Sequence, residues 1–275
     1  MKRLFTSVIP FLALMLISSQ LGTGLVKAEN PEGAIREKML NAIDYYEYVE
    51  GEFKYDVAGK KYTAEFVVQQ GKNPGSRTVL KDPSGKTSQE LVADEEFVLQ
   101  LNNTSKTYLK MKSSSSVEVP KGERVKKEKD PDGKEANVYI YRQDPAKALI
   151  AKTVTFPQEY GFWLDDKAKN YKITGEEMFL ERNAVVISGE LSEDLSKKLN
   201  STSFEMWVDE KTGVLLKLIT TDKGGDIKNS IEVLNINFET NLAKTASRKF
   251  DTDDTKGYKE IKFDDKKPSD KKDKK

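Results

Sequence analysis

Hydrophobic and polar positions first recur along the chain with a helical period and then, from about residue 50 onward, with a period of two. Asn30 and Pro31 read as helix N-cap and first helical position, and Ile35, Met39, Ala42, Ile43 and Tyr46 follow at helical spacing, which predicts an amphipathic helix over 31–47. Phe53, Tyr55 and Val57 then alternate with charged residues, the stretch 58–61 reads as a turn, and Tyr62, Ala64, Phe66 and Val68 continue the alternation. This is the pattern of an antiparallel hairpin. Turns at 71–76 and 82–85 bracket a short strand at 77–81, and further strands are expected at 87–93, 96–101 and 106–112. The polar stretch 113–137 has too few apolar residues to bury and reads as a long exposed loop with a short strand in it.

Val138 to Tyr141 resumes a strand. Asp144 and Pro145 then start a short helix carrying Ala148, Leu149 and Ile150, and Pro157 starts a second with Tyr160, Phe162, Trp163 and Leu164. Two adjacent helices rich in aromatics suit a lid. Strands follow at 171–180, 183–190, 203–209, 213–221 and 230–239, with a polar or briefly helical linker at 191–203. The plan is α+β: one large curved antiparallel sheet, an open half β-barrel, with helices as its cover.

The opening stretch changes where this fold is expected to work. Lys2 and Arg3 precede an apolar run from Leu4 to Ile17, interrupted by Pro10 and shorter than a membrane span, and Val26-Lys27-Ala28 fits cleavage after Ala28. Residues 1–28 therefore read as a signal peptide, 29–263 as the half-barrel domain, and 264–275 as a disordered tail, six lysines and four aspartates among twelve residues. The expected location is extracytoplasmic, secreted or retained at the outer face of the cytoplasmic membrane.

Charge and composition narrow the chemistry. With 46 Lys and Arg against 45 Asp and Glu there is no electrostatic case for nucleic acid. The chain has neither His nor Cys, which excludes disulfides, a Ser-His pair, a thiolate nucleophile and an ordinary zinc site. No cofactor or metal is expected.

Three local motifs read as turns or remain unassigned. Gly85, Lys86 and Thr87 spell the end of a phosphate loop, but Leu80 stands where its first glycine is needed, while Asp82-Pro83-Ser84-Gly85 follows type I turn preferences. Asp130, Asp132 and Glu135 offer oxygen ligands in KDPDGKE, but without an EF-hand's glycine and distant glutamate they read as a solvated turn, as does DTDD at 251–254. Paired carboxylates could serve a hydrolase, yet the sequence singles out no pair.

Residues 204–239 hold strands that are apolar on both faces in part, joined at Asp209 to Gly213. One face suits burial under helices; the other is either packed core or a surface that a ligand covers. Here, in 171–191, 204–222 and 230–239, the sequence resembles the LolA-like superfamily and more closely its MucB/RseB branch, through Gly175, Arg182, Trp207, Asp209, Thr212 and Gly213, with Phe250 a further match. The first helix and residues 85–111 look more loosely like the family's early strands.

The resemblance implies a curved, unclosed barrel packed on helices, whose concave apolar face receives acyl chains or a hydrophobic peptide. LolA-like proteins carry lipoproteins; the RseB branch binds an anti-sigma protein. The lysine-rich tail departs from the family pattern, and RseB's C-terminal domain has no room in this chain. The expectation is a non-enzymatic binding protein holding lipid or lipoprotein, with Phe66, Val68, Leu99, Tyr108, Trp163, Trp207 and Leu216 as candidate cavity liners. A regulatory module contacting a membrane-anchored anti-sigma or other signalling protein is the alternative, and an extracytoplasmic hydrolase the third.

Overall fold

The computed structural model of the protein describes residues 31–113, 124–129, 132–133, 135–164, 170–238 and 250–261. The expected signal peptide and tail, residues 114–123 of the polar stretch and Asp130 of the acidic turn lie outside them.

A first meander runs through β1 (Tyr48–Val57), β2 (Lys60–Gln69), β3 (Gly75–Lys81), β4 (Thr87–Ala93), β5 (Phe97–Asn102) and β6 (Thr107–Lys112). Then β7 (Val125–Lys129) and β8 (Glu135–Tyr139) pair only with each other. A second meander follows as β9 (Tyr171–Phe179), β10 (Arg182–Glu190), β11 (Ser203–Asp209), β12 (Leu215–Thr221) and β13 (Ile227–Asn237), and β14 (Lys259–Glu260) is a two-residue strand near the end. The order β14-β6-β5-β4-β3-β2-β1-β13-β12-β11-β10-β9 makes one open sheet of twelve strands. All its pairs are antiparallel except β14 with β6. An open, curved, helix-covered antiparallel sheet, as the sequence predicts, is what the chain forms.

Local chemistry explains the turns. Ala58 and Gly59 both have positive φ (52° and 79°), the pair of left-handed residues that a two-residue hairpin matched to strand twist requires. At the β3–β4 hairpin Asp82 Oδ1 accepts from the N–H groups of Ser84 (2.9 Å) and Lys86 (3.1 Å), and Gly85 sits at φ +84°. The Gly85-Lys86-Thr87 run is thus a turn feeding β4, with a strand rather than a phosphate-binding helix behind it. Five ladders carry a register shift, four of them in the half made by β9 to β13 and β1. Each extra residue bends its strand and increases its twist, which curls that half.

Helix α1 (Pro31–Leu40), a 3-10 turn at Ala42–Asp44, α2 (Lys152–Thr155) and α3 (Gln158–Gly161) cover one face, and α4 (Glu193–Leu199) links β10 to β11. Alternation decides what meets them. Val49, Phe53, Ala64, Phe66, Val68, Ile231, Val233, Leu218, Met206, Val208 and Ile187 point to the helix-covered face and, with Ile35 and Met39 of α1, form the main core. A smaller core of Tyr48, Val92, Leu99, Leu101 and Phe250 lies on the opposite face, beneath the segment 250–261.

Three local expectations are corrected. The first helix ends at Leu40 instead of 47, and the 3-10 turn lets β1 start at Tyr48, where the buried Tyr48 and Val49 serve opposite cores. The polar stretch contributes a hairpin, β7 with β8, in place of a single short strand. The helix expected from Asp144 is absent: residues 142–150 are irregular, Lys147 and Leu149 both adopt φ +50°, and the helical turn begins at Lys152. Asp144 is the reason. Its carboxylate accepts from the N–H groups of Ala146 (3.1 Å) and Ala148 (2.7 Å), a local alternative to helical bonding.

Candidate functional site

The inner face of the curved sheet is covered by α1 and by one stretch of chain, residues 141–164, rather than by a second sheet. It lays Ala146, Ala148, Ala151 and Val154, none of them exposed, against the strands, followed by Tyr160, Trp163 and Leu164. The Trp163 ring stands edge-on to Tyr160 (5.0 Å) and to Phe204 of β11 (5.8 Å), so the aromatic end of the stretch is locked onto the sheet. Burial raises the Tyr160 hydroxyl well above its ordinary pKa, with Glu159 adding to the effect.

Polar contacts hold the stretch at its two margins. On one side Ser76 Oγ donates to the Lys147 carbonyl (3.0 Å), Gln70 Nε2 donates to Asp144 (2.9 Å), and Lys147 Nζ donates to the carbonyls of Asp94 (2.5 Å) and Glu95 (2.7 Å). Burial draws the Lys147 ammonium below its usual pKa, against the opposing pull of Asp94, Glu95 and Asp144.

On the other side Arg124, 4% exposed, donates to the carbonyls of Ile140 (2.7 Å) and Leu40 (3.0 Å) and to the side-chain oxygens of Asn41 and Gln158. Arg142 beside it forms a bidentate pair with Asp44 (2.6 and 3.1 Å). Burial, with Arg142 nearby, pulls the Arg124 pKa down to about 10, so it remains a cation at neutral pH. Neither Arg124 nor Lys147 is singled out by the sequence pattern; the one signal is an arginine standing among lysines, suited to several carbonyls at once.

Between this stretch, the β4–β5 turn and the end of β6 opens a cavity of about 1050 Å³. Its wall mixes Glu95, Glu96, Lys112 and Lys152 with Tyr141, Leu149 and Phe156, a charged rim beside apolar patches. Among the described residues no group of three or more potential metal ligands occurs.

The seven residues proposed from the sequence divide between the two faces. Phe66, Val68 and Trp163 lie together in the main core on the helix-covered side, and Leu216, the extra residue of the β11–β12 bulge, is wholly buried. Leu99 and Tyr108 belong to the smaller core on the opposite face. Trp207 alternates with Met206 and Val208 and so faces outward, where Lys217 stands over its ring (4.6 Å) and its indole N–H donates to Glu177. All but Tyr108 are buried in the structure as it stands.

The resembling residues have a plain structural role. Asp209, 1% exposed, takes a bidentate pair from Arg182 (2.6 and 3.1 Å) and hydrogen bonds from the N–H (2.7 Å) and hydroxyl (2.6 Å) of Thr212. Gly213 follows at φ +73°; a Cβ there would lie 2.4 Å from the Lys38 backbone carbon, and Lys38 Nζ donates to the Glu210 carbonyl (2.6 Å). The motif thus shapes the hairpin on which α1 rests.

No family model and no curated protein matches the chain. Among solved structures it is similar to the Pseudomonas aeruginosa MucA/MucB complex (15% identity, TM-score 0.42, 75% of this chain and 56% of that one). It is also similar to an uncharacterised conserved protein of Thermus thermophilus (11%, 0.43, 83% and 97%) and to the lipoprotein LppX of Mycobacterium tuberculosis (10%, 0.36, 74% and 92%). The chain spans little more than half the length of the MucB chains it matches. These values assign no family.

Proposed function

We propose that the protein is an extracytoplasmic, non-enzymatic binding protein that takes lipid acyl chains, free or on a lipoprotein, between the inner face of its curved sheet and residues 141–164. One observation carries this reading: beside α1, the apolar inner face is covered by a stretch of small and aromatic residues fastened by polar contacts at its margins. Displacing such a stretch exchanges one apolar filling for another at little net cost in buried area. Phe66, Val68 and Trp163 are the proposed liners, with Leu216 behind them. Among the described residues no helix is long and apolar enough to cross a membrane.

The two tryptophans supply the test. A fluorescent fatty acid titrated into the Trp207→Phe variant is expected to shift the emission of Trp163 and to be displaced by unlabelled lipid. In Trp163→Phe, Trp207 on the outer face should not respond. Saturating lipid that leaves both variants unchanged, together with native mass spectra free of bound lipid, would sink the proposal.

A further inference from the structure

The outer face carries a second, independent feature. Residues 250–261 cross β2 to β6 as a strap seated at four points. Phe250 lies over Gly75, where a Cβ would come within 2.7 Å of the ring and 2.8 Å of the Ala93 carbonyl, so only glycine leaves the notch open. Thr252 Oγ1 donates to Asp94 Oδ2 (2.7 Å), and Asp253 pairs with Lys110 (2.5 Å). Finally, β14 adds to the β6 edge through Lys259 N–H to the Lys106 carbonyl (2.9 Å) and Ile261 N–H to the Tyr108 carbonyl (2.8 Å). Beneath the strap lie Tyr48, Val92, Leu99 and Leu101.

The strap fills this groove incompletely. A cavity of about 400 Å³ remains beside Phe250, bounded by Gln69, Asp94, Glu95, Glu96 and Phe97. The carboxamide oxygen of Gln69 is buried with no donor, an acceptor left unsatisfied. The carboxylates of Glu95 and Glu96 form no hydrogen bond or ion pair among the described residues, although the Lys147 ammonium lies near enough to feel Glu95. An aromatic notch, an acceptor for a hydroxyl, a β6 edge covered by the two-residue β14 and acceptors free of hydrogen bonds ahead of the notch describe a peptide site.

We propose that this groove binds an extended segment of a partner protein bearing a basic residue, then an aromatic anchor, then a hydroxyl residue two positions on, and that residues 250–261 are its built-in competitor. The basic residue meets Gln69, Glu95 and Glu96; the anchor takes the place of Phe250 over Gly75; the hydroxyl meets Asp94. The strap lowers the apparent affinity for the partner by the fraction of time it occupies the groove.

The test uses the full chain and fluorescein-labelled peptides copying residues 250–261, with Lys or Ala added ahead of the phenylalanine. Phe250→Ala should bind the Lys peptide at least tenfold tighter than the wild type does, and the Ala peptide severalfold more weakly; adding Gly75→Val should abolish binding. A folded Phe250→Ala protein that binds the Lys peptide no better than a scrambled one overturns the proposal. Should Phe250→Ala not fold, Thr252→Val with Lys110→Ala loosens the strap without opening a hole, and the same gain over wild type is required. Wild-type protein that forms concentration-dependent dimers by exchanging straps, with no gain for the peptide in either variant, also overturns it, since the occupant would be a second copy.

Discussion

At the scale of single residues, the Arg182–Asp209–Thr212 cluster shows a buried carboxylate given four donors in place of water. Removing the carboxylate leaves Arg182, which also stacks on Phe238 (4.2 Å), with its charge uncompensated at the edge of the core. Breaking such a pair costs about 3 kcal/mol, so Asp209→Ala should lower Tm by roughly 6–12 °C, read by thermal unfolding. Gly213→Ala should also destabilise, because the new Cβ meets the Lys38 backbone and the left-handed φ becomes strained; hydrogen exchange in α1 should speed up more than in β2. Asp94 belongs at this scale too. Burial raises its carboxyl, but hydrogen bonds from Thr252 and the N–H groups of Phe97 and Glu96, with Lys147 nearby, hold it below the ordinary range. A depressed carboxyl contributes stability above its unfolded pKa, and that contribution is lost as the pH falls below about 4. The fall in Tm between about pH 6 and pH 3 should therefore be shallower in Asp94→Asn than in the wild type.

At the scale of elements, residues 141–164 decide whether the inner face is closed. Trp163→Ala removes a ring that bridges Tyr160 and Phe204 and should cost about 3–5 kcal/mol, with local exchange in 151–164 rising first. How far this was legible differs by element. The strands declare themselves, since alternation in Tyr62, Ala64, Phe66 and Val68 or the break at Asp209 to Gly213 is local information. The segment 142–150 does not: Asp144 and Pro145 are good helix starters, but the bonds that hold the segment come from Gln70, Ser76 and the β4–β5 turn, each distant in sequence. The candidate liners suffered from the same limit. Trp207 and Leu99 are apolar residues on apolar strands, and which face is inner depends on where α1 and residues 141–164 land. Alternation fixes which residues share a face but not which face the helices choose.

At the scale of the whole molecule, eleven of the twelve strands behave as two consecutive meanders sewn together along β1 and β13, where Tyr55 faces Ile231 and Gly51 faces Ile236. Every other antiparallel neighbour in the sheet is adjacent in sequence. A mutation that weakens the seam, such as Phe53→Ala, should therefore split one cooperative unfolding transition into two, visible by calorimetry, whereas the same truncation at Leu101 in the smaller core should leave a single transition. The seam also sets an order of events for a chain synthesised from its N-terminus. Each hairpin closes a short loop, but β1 waits for a partner about 180 residues downstream, and that closure bears the largest entropic cost. Until β13 arrives, β1 is a naked strand edge with Phe53 and Val49 beside it, the state most exposed to pairing with the wrong chain. Slow assembly at the seam, rather than marginal stability of the finished sheet, is where this protein would need a holdase.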